Sequence, residues 1–411
     1  MPLELQLKKI GDKVGLDLNF LIKNSFWTIL RQLITLITGL ALSVVMVRLL
    51  TQDIFGNFQI YLSILAIVAI FSLPGLNTSM IRSVAKGFDG SYEKAVKVSF
   101  IWSLLGIPTL FILGIFYFLN GNQPLGIGLM VSGLIFPFMY AFNSWDVFLQ
   151  GKERFDLAMK YSSIQAVVYT AILSVAIYIR PNNLLLIIVV NLFVGALFNI
   201  YWYIKSRRYV RSNEIDQDVV PYGKFLTKVN ILTIISTNID KLLVGIFIGP
   251  GELAIYAVGI NFCKRIFDFI KSILAIYTAK ITRTNTATLR KYALIFLIFL
   301  VVTIIVVLLI PVVLNFLYTQ KYNSSVPLAQ MVIIFLPFYV INIFYKNHFL
   351  FYTQNKKVIL VSSIVVPIIK IVLMIPLVIF WGIFGLALLY GTQFVLDLVV
   401  LFVLEKKFKS T

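Results

Sequence analysis

The chain has 411 residues, of which 60% are hydrophobic and 13% charged, and its mean hydropathy is +0.93. That is more apolar surface than one aqueous core conceals, so a water-soluble globular domain is excluded and lipid becomes the solvent. A net charge of +19 would point to nucleic acid in a soluble protein, but the basic residues sit in short segments between apolar runs, which excludes that partner.

The first 24 residues carry Lys8, Lys9, Asp12, Lys13 and Lys23 with no apolar stretch, so no cleavable signal is expected. Leu3, Leu7, Ile10, Val14 and Leu18 recur at spacings of three and four, which fits a helix lying on the cytoplasmic leaflet, a solvated helix, or plain disorder.

A bilayer core about 30 Å thick takes roughly 20 apolar residues per helix. Runs of that length predict twelve spans, at roughly 25–47, 58–80, 98–119, 125–149, 161–180, 184–204, 225–249, 252–276, 292–318, 327–350, 358–380 and 383–404. If loops alternate sides, one side holds 25 Lys and Arg and the other only Arg48, Arg180 and Lys321. That asymmetry puts both termini in the cytoplasm. The opposite loops, such as Asn120-Gly121-Asn122-Gln123 and Arg180-Pro181-Asn182-Asn183, are too short to house a catalytic domain.

The longest polar stretch between spans, Lys205 to Lys224, follows the sixth and predicts two six-helix lobes, residues 1–210 and 211–411. Asp53-Ile54-Phe55-Gly56-Asn57-Phe58 and Glu252-Leu253-Ala254-Ile255-Tyr256 echo each other as acid, apolar, small, aromatic, each ahead of the next apolar run. With six spans per repeat the lobes would be parallel, related by an axis along the membrane normal, as in alternating-access carriers.

Charges inside spans are costly, about 2.5–3.5 kcal/mol each at a helix centre, so they face an interior. The bases are Arg31, Lys228, Lys241, Lys264, Arg265, Lys271, Lys346 and Lys370, and the acids Asp146, Asp240, Asp268 and Asp397. Asn24, Thr28, Arg31, Thr35 and Thr38 make one polar stripe on the first span; Asn230, Thr233, Thr237, Asp240 and Lys241 mark the seventh; Asn261, Lys264, Asp268 and Lys271 mark the eighth. These three spans are expected to line the gap between lobes. Lys228, Lys271 and Lys346 lie near span ends and either snorkel to headgroups or line that gap. Asp240 with Lys241, and Lys264 with Asp268, are either ion pairs locking helices or parts of the lining. Lys370 sits near the midplane with no acid within a turn; Asp397 is its candidate counter-ion. The excess of bases makes an interior suited to an anion.

Prolines within apolar runs, at Pro74-Gly75, Pro137, Pro311, Pro337, Pro367 and Pro376, mark kinks or gating hinges. One Cys (Cys263) excludes a disulfide framework, and one His (His348) leaves no His cluster, so neither metal nor cofactor is expected. No GxxxxGK[ST] loop, G-x-S-x-G elbow or H-E-x-x-H pair occurs in the sequence, so neither an ATP-powered pump nor those hydrolases is indicated.

Asn24-Ser25-Phe26-Trp27, Arg48-Leu49-Leu50 with Asp53-x-Phe55-Gly56, and Gly75-Leu76-Asn77-Thr78-Ser79 running into Arg82-x-x-Ala85-Lys86 resemble the amino-terminal signature of bacterial polysaccharide flippases. Gln150-Gly151-x-Glu153-Arg154-Phe155, Asn238-Ile239-Asp240-Lys241-Leu242-Leu243-Val244-Gly245 and Lys321-Tyr322 extend the likeness along the chain. These are the O-antigen (Wzx-like) repeat-unit translocases of the multidrug/oligosaccharidyl-lipid/polysaccharide exporter superfamily. The resemblance implies an all-α integral membrane fold of about twelve helices, in two six-helix lobes around a cationic cavity. It also implies a substrate, an oligosaccharide linked through pyrophosphate to undecaprenol, flipped from the inner to the outer leaflet of the bacterial cytoplasmic membrane. Carried over by position, Arg31, Lys241, Lys264, Arg265 and Lys370 would meet the pyrophosphate, while Asp146, Asp240, Asp268 and Asp397 would serve coupling or ion pairing. Tyr169, Tyr277 or Tyr345 would stack on sugars or simply face core or lipid. A sodium or proton gradient, or the membrane potential, would couple transport, with a polysaccharide polymerase and a chain-length regulator as expected partners alongside membrane lipids. The rival readings are an ion-coupled drug exporter, for which Asp146 is the candidate acid in the first lobe, a membrane-embedded polysaccharide-modifying enzyme, and a non-transporting scaffold.

Overall fold

The computed structural model describes residues 18–281, 289–347 and 356–409. The leader up to residue 17 and His348 lie outside the described residues. Described helices run in the order α1 (Leu18–Leu49), α2 (Gln52–Ser72), α3 (Gly75–Ala85), α4 (Ser91–Leu119), α5 (Gln123–Gly151), α6 (Phe155–Ile179) and α7 (Leu184–Tyr209). There follow α8 (Val219–Phe247), α9 (Pro250–Ile281), α10 (Leu289–Leu317) and the bent pair α11 (Ser325–Ile333 and Leu336–Asn347). A final helix, Lys356–Lys409, is broken at Gly382 into α12 (356–381) and α13 (383–409).

Among the described residues, nine helices are long and apolar enough to cross a membrane, or ten with the α11 pair, which bends by 43°. Gly382, with φ 58 and ψ −139, splits one of those nine into two arms, each long enough for a span. The helix α9 does not meet the apolar criterion because Lys264, Arg265, Asp268 and Lys271 all fall in it, although it packs between spans of both halves of the chain. With these two, the number of spans is roughly that of the hydropathy runs, and the molecule is a multi-pass membrane protein.

The short loops act as helix caps. Asn122 Oδ1 accepts from Leu125 N (3.4 Å) and Asn183 Oδ1 from Leu186 N (2.9 Å), so orphan amides at two helix starts are satisfied by their own loops. We call the side carrying these loops the short-loop side, and the side carrying the Lys- and Arg-rich loops the basic side. The predicted span at 58–80 differs: its helix starts at Gln52 and stops at Ser72, where Leu73 turns left-handed (φ 55) ahead of Pro74. The released backbone groups find partners on neighbouring helices, as lipid demands. Ser99 Oγ donates to Ser72 O (2.7 Å), and Gly75 N donates to Thr227 Oγ1 (3.0 Å). Pro337 also coincides with a break, whereas Pro137, Pro311, Pro367 and Pro376 lie inside continuous helices.

In the first half, α4 packs on α5, α5 on α7, and α1 on α6; in the second, α10 packs on α11, and α8 and α11 on the α12–α13 pair. The halves meet where α2 crosses α9 and the end of α8, and where α3 crosses the start of α8. Both crossings are made by glycine. A Cβ at Gly56 would stand 1.8 Å from Pro250 O, and one at Gly75 would stand 2.4 Å from Gly223 O, distances only a bare backbone permits. The two echoing segments therefore lie against each other, with Asp53 Oδ1 3.3 Å from where Gly251 would carry a Cβ.

The stretch between α7 and α8 is pinned to the first half rather than free. Asp89 accepts from Arg211 N (2.8 Å), Ser91 Oγ accepts from Asp216 N (2.9 Å), and Ser83 Oγ donates to Asp216 Oδ2 (2.7 Å).

Candidate functional site

On α9, Asn261, Lys264, Arg265, Asp268 and Lys271 share one face, because residues three and four apart stack along a helix. Arg265 touches the first half of the chain directly, and Asn261 reaches it through Lys241. Lys241 Nζ on α8 donates to Asn261 Oδ1 and to Gln59 Oε1 of α2, both at 3.2 Å, and the Arg265 guanidinium lies beside Gly39 of α1, whose Cβ would come within 3.3 Å. Towards the basic side the same face continues with Lys264, Asp268 and Lys271, all exposed. No ion pair joins Lys264 to Asp268, and Arg265 Nη1 is buried without a hydrogen bond. The face thus carries net positive charge with donors to spare. Its residues cannot face lipid at acceptable cost, and the approach of Arg265 to Gly39 of α1 turns the face towards the first half.

Towards the short-loop side the two halves are fastened to each other. Ser43 and Tyr318 hydroxyls meet at 2.6 Å, Arg48 donates to Leu317 O (3.0 Å) and Phe316 O (2.8 Å), Gln52 donates to Lys321 O (2.7 Å), and Lys321 Nζ donates to Leu50 O (3.0 Å). These bonds tie the end of α1 and the start of α2 to the last turn of α10 and the segment that follows it on the short-loop side. Elsewhere α1 packs on α6, and its Thr28 and Thr35 are exposed.

The structure places the remaining candidates differently from one another. Arg31 is not a free cation: its two terminal nitrogens donate to the two Asp146 oxygens at 2.8 Å each, and Gln150 Nε2 adds a third bond at 3.0 Å. Asp240 makes no ion pair with Lys241; it accepts from Tyr256 OH at 2.8 Å, and its Oδ1 is buried without a partner. Asp397 pairs with Lys346, not with Lys370, and also accepts from Asn342 Nδ2 at 2.9 Å. Lys370 is 3% exposed, its Nζ has no hydrogen-bond partner, and it lies over the Tyr390 ring at 5.4 Å. Tyr169 and Tyr345 are engaged internally, by Asn191 and Glu405. The side chain of Tyr277 lies outside the described residues.

A profile described as "Polysaccharide biosynthesis protein" matches residues 21–277, more than half of the chain. The chain belongs to that family. Among solved structures, an inward-facing multidrug resistance MATE family transporter of the MOP superfamily is 15% identical, with a TM-score of 0.67, over 92% of this chain and 94% of that one. The lipid II flippase MurJ in its inward closed conformation is 14% identical, with a TM-score of 0.63, over 94% and 87%. A Vibrio cholerae MATE transporter, VcmN, is 11% identical, with a TM-score of 0.61, over 96% and 97%. Such identities show a shared fold, the all-α membrane fold of MATE transporters and MurJ. No curated protein sequence matches the chain.

Residues that the sequence reading passed over join the two halves: Gln59, which receives Lys241, and Ser43, which meets Tyr318. A single Gln or Ser in an apolar run carries no periodic signal that would single it out.

Proposed function

We propose that the protein is a flippase that moves undecaprenyl-pyrophosphate-linked oligosaccharide repeat units from the cytoplasmic to the outer leaflet of a bacterial inner membrane. The observation that carries this reading is the α9 face: exposed Lys264 and Lys271 and the unpartnered Arg265 guanidinium, in a gap fastened on the short-loop side. Those side chains would replace the hydration lost by a pyrophosphate through charge-assisted hydrogen bonds, while the polyprenyl tail stays in lipid. The lobes, 1–210 and 211–411, would rock about the Gly56 and Gly75 crossings to reopen on the far side. The excess of Lys and Arg on one side supports a cytoplasmic placement of that side and of both termini. A proton or sodium gradient, or the membrane potential, would supply the drive; delivery to a polymerase and a chain-length regulator would follow on the outer face.

The drug-exporter alternative relies on Asp146, and that carboxylate is occupied by Arg31 and Gln150. The test is deletion of the gene in its host, followed by leaflet-selective labelling of the lipid-linked repeat units. Wild type is expected to clear an inner-leaflet accumulation that Lys264→Ala, Arg265→Ala and Lys271→Ala clear at least about tenfold more slowly, as each charged hydrogen bond is worth about 1.5–3 kcal/mol. Normal surface polysaccharide in the deletion strain, with no other flippase present, rejects the reading.

A further inference from the structure

The second half of the chain holds a cavity of about 290 Å³, lined by α8, α11, α12 and α13 alone. The cavity is distinct from the α9 face, for none of its lining residues comes from α9 or from the first half. Its walls are polar, although every helix that forms it crosses the membrane. Lys370 is among its lining residues, and its ammonium group is buried with no hydrogen-bond partner. The Thr233 and Ser363 hydroxyls and the Gln393 amide also line it and donate to no acceptor among the described residues.

Charge around this ammonium can be counted from every element that packs there. Lys346 of α11 and Asp397 of α13 neutralise each other. Asp240 of α8 and Lys264 of α9 both act on Lys370 electrostatically with opposite signs, and neither lines the cavity. One positive charge is left over, Lys370 itself, beside a chamber lined by hydrogen-bond donors. Burying an ammonium without an ion-pair partner is costly, and the Tyr390 face offsets only part of that cost. A cavity built of donors around an uncompensated cation is an anion site.

We propose that this cavity binds a small inorganic monovalent anion of the size and charge of chloride, with Lys370 Nζ as its principal ligand and the Thr233, Ser363 and Gln393 donors completing its shell. Charge selects the ligand: one ammonium among neutral donors, beside an ion pair that is already satisfied, balances a single negative charge and not a diphosphate. Lys370 therefore leaves the substrate path and becomes part of a separate site whose occupancy neutralises the packing of α8 against α12 and α13. The site does not depend on the flippase reading, since it involves none of the α9 residues.

The experiment is equilibrium binding of radioactive chloride to the purified full-length protein in detergent. Wild type is expected to bind saturably, with displacement by bromide and nitrate but not by gluconate or inorganic pyrophosphate. Lys370→Met should weaken binding by about tenfold or more, the value of a charged hydrogen bond, while Lys370→Arg and Lys264→Gln retain it. Replacing an unpaired buried cation by an apolar chain of similar length leaves the fold intact, and a monodisperse elution profile for Lys370→Met checks this directly. Absence of saturable chloride binding in wild type overturns the proposal, as does binding that survives Lys370→Met. Displacement by inorganic pyrophosphate also overturns it, by placing the ion on the substrate path instead. A flippase whose activity fails in the deletion strain would leave the chloride result standing, so the two readings fail separately.

Discussion

Arg31 and Asp146 face each other through two parallel hydrogen bonds of 2.8 Å, a bidentate pair that fastens α1 to the far end of α5. The side chains are 31% and 16% exposed, so this pair lies between a surface bridge and a buried one. Its geometry locks the helix that also carries the exposed Thr28 and Thr35.

Removing one partner strands the other. Arg31→Ala or Asp146→Asn should each cost on the order of 2 kcal/mol, between the ~1 of exposed pairs and the ~3–5 of buried ones. The double variant Arg31→Met with Asp146→Leu should recover most of that loss, because no charge is left unpaired. Thermal unfolding in detergent of the two single variants and the double reads this directly. Additive losses in the double would show that the pair contributes no coupling.

Gly56 should be the least tolerant position of the α2–α9 crossing. A methyl group there meets the Pro250 carbonyl at 1.8 Å, and backbone cannot rotate away as a side chain would. Gly56→Ala is expected to lower stability by about 3 kcal/mol or more, the upper end of overpacking. Gly87 offers the control: it has φ +96 and nothing within 4 Å, so Gly87→Ala should cost only about 1 kcal/mol of backbone strain. Equal melting shifts for the two variants would mean that the helices separate freely at Gly56.

Spans, their number and the polar faces were legible in the sequence because each depends on period and length along one helix. Partners were not. Asp397 is 27 positions from Lys370 and 51 from Lys346, yet it pairs with the latter. That choice is set by the rotation of α11 and α12 against α13, which periodicity within a helix does not encode. The motif residues were legible as a resemblance but not by role. Gly56, Gly75, Arg48 and Lys321 turn out to be the joints and fasteners between the two halves, while the exposed cations lie elsewhere, on α9.

Acid should release the segment between α7 and α8. The hydrogen bond from Ser83, reinforced by the Asp218 amide, holds the Asp216 carboxyl below its usual pKa. A depressed folded pKa contributes stability above the unfolded carboxylate's value of about 3.9 and loses it as the pH falls through the folded value. Ser83→Ala is therefore expected to lower the melting temperature at about pH 7, with the difference from wild type shrinking as the pH falls below the unfolded carboxylate's value and through the folded one. A difference that persists in acid would assign the effect to packing of Ser83 rather than to Asp216.

Access to the α9 face should be one-sided. Lys264 is exposed, whereas the bonds from Ser43, Arg48, Gln52 and Lys321 close the short-loop side. In a Cys263→Ala background, a cysteine introduced by Lys264→Cys should react with a membrane-impermeant maleimide from the basic side and not from the other. Arg48→Ala with Lys321→Ala removes three donor bonds to backbone carbonyls, each worth about 0.5–1.5 kcal/mol or more when charged. The fastened arrangement should then lose on the order of 2 kcal/mol relative to one open on the short-loop side, and labelling from that side should rise at least about tenfold. If it rises while labelling from the basic side falls, the two arrangements exchange as alternating access requires. A rise on both sides together would instead mean a leak through a loosened interface, and the four fasteners would then be a seal rather than one state of a switch.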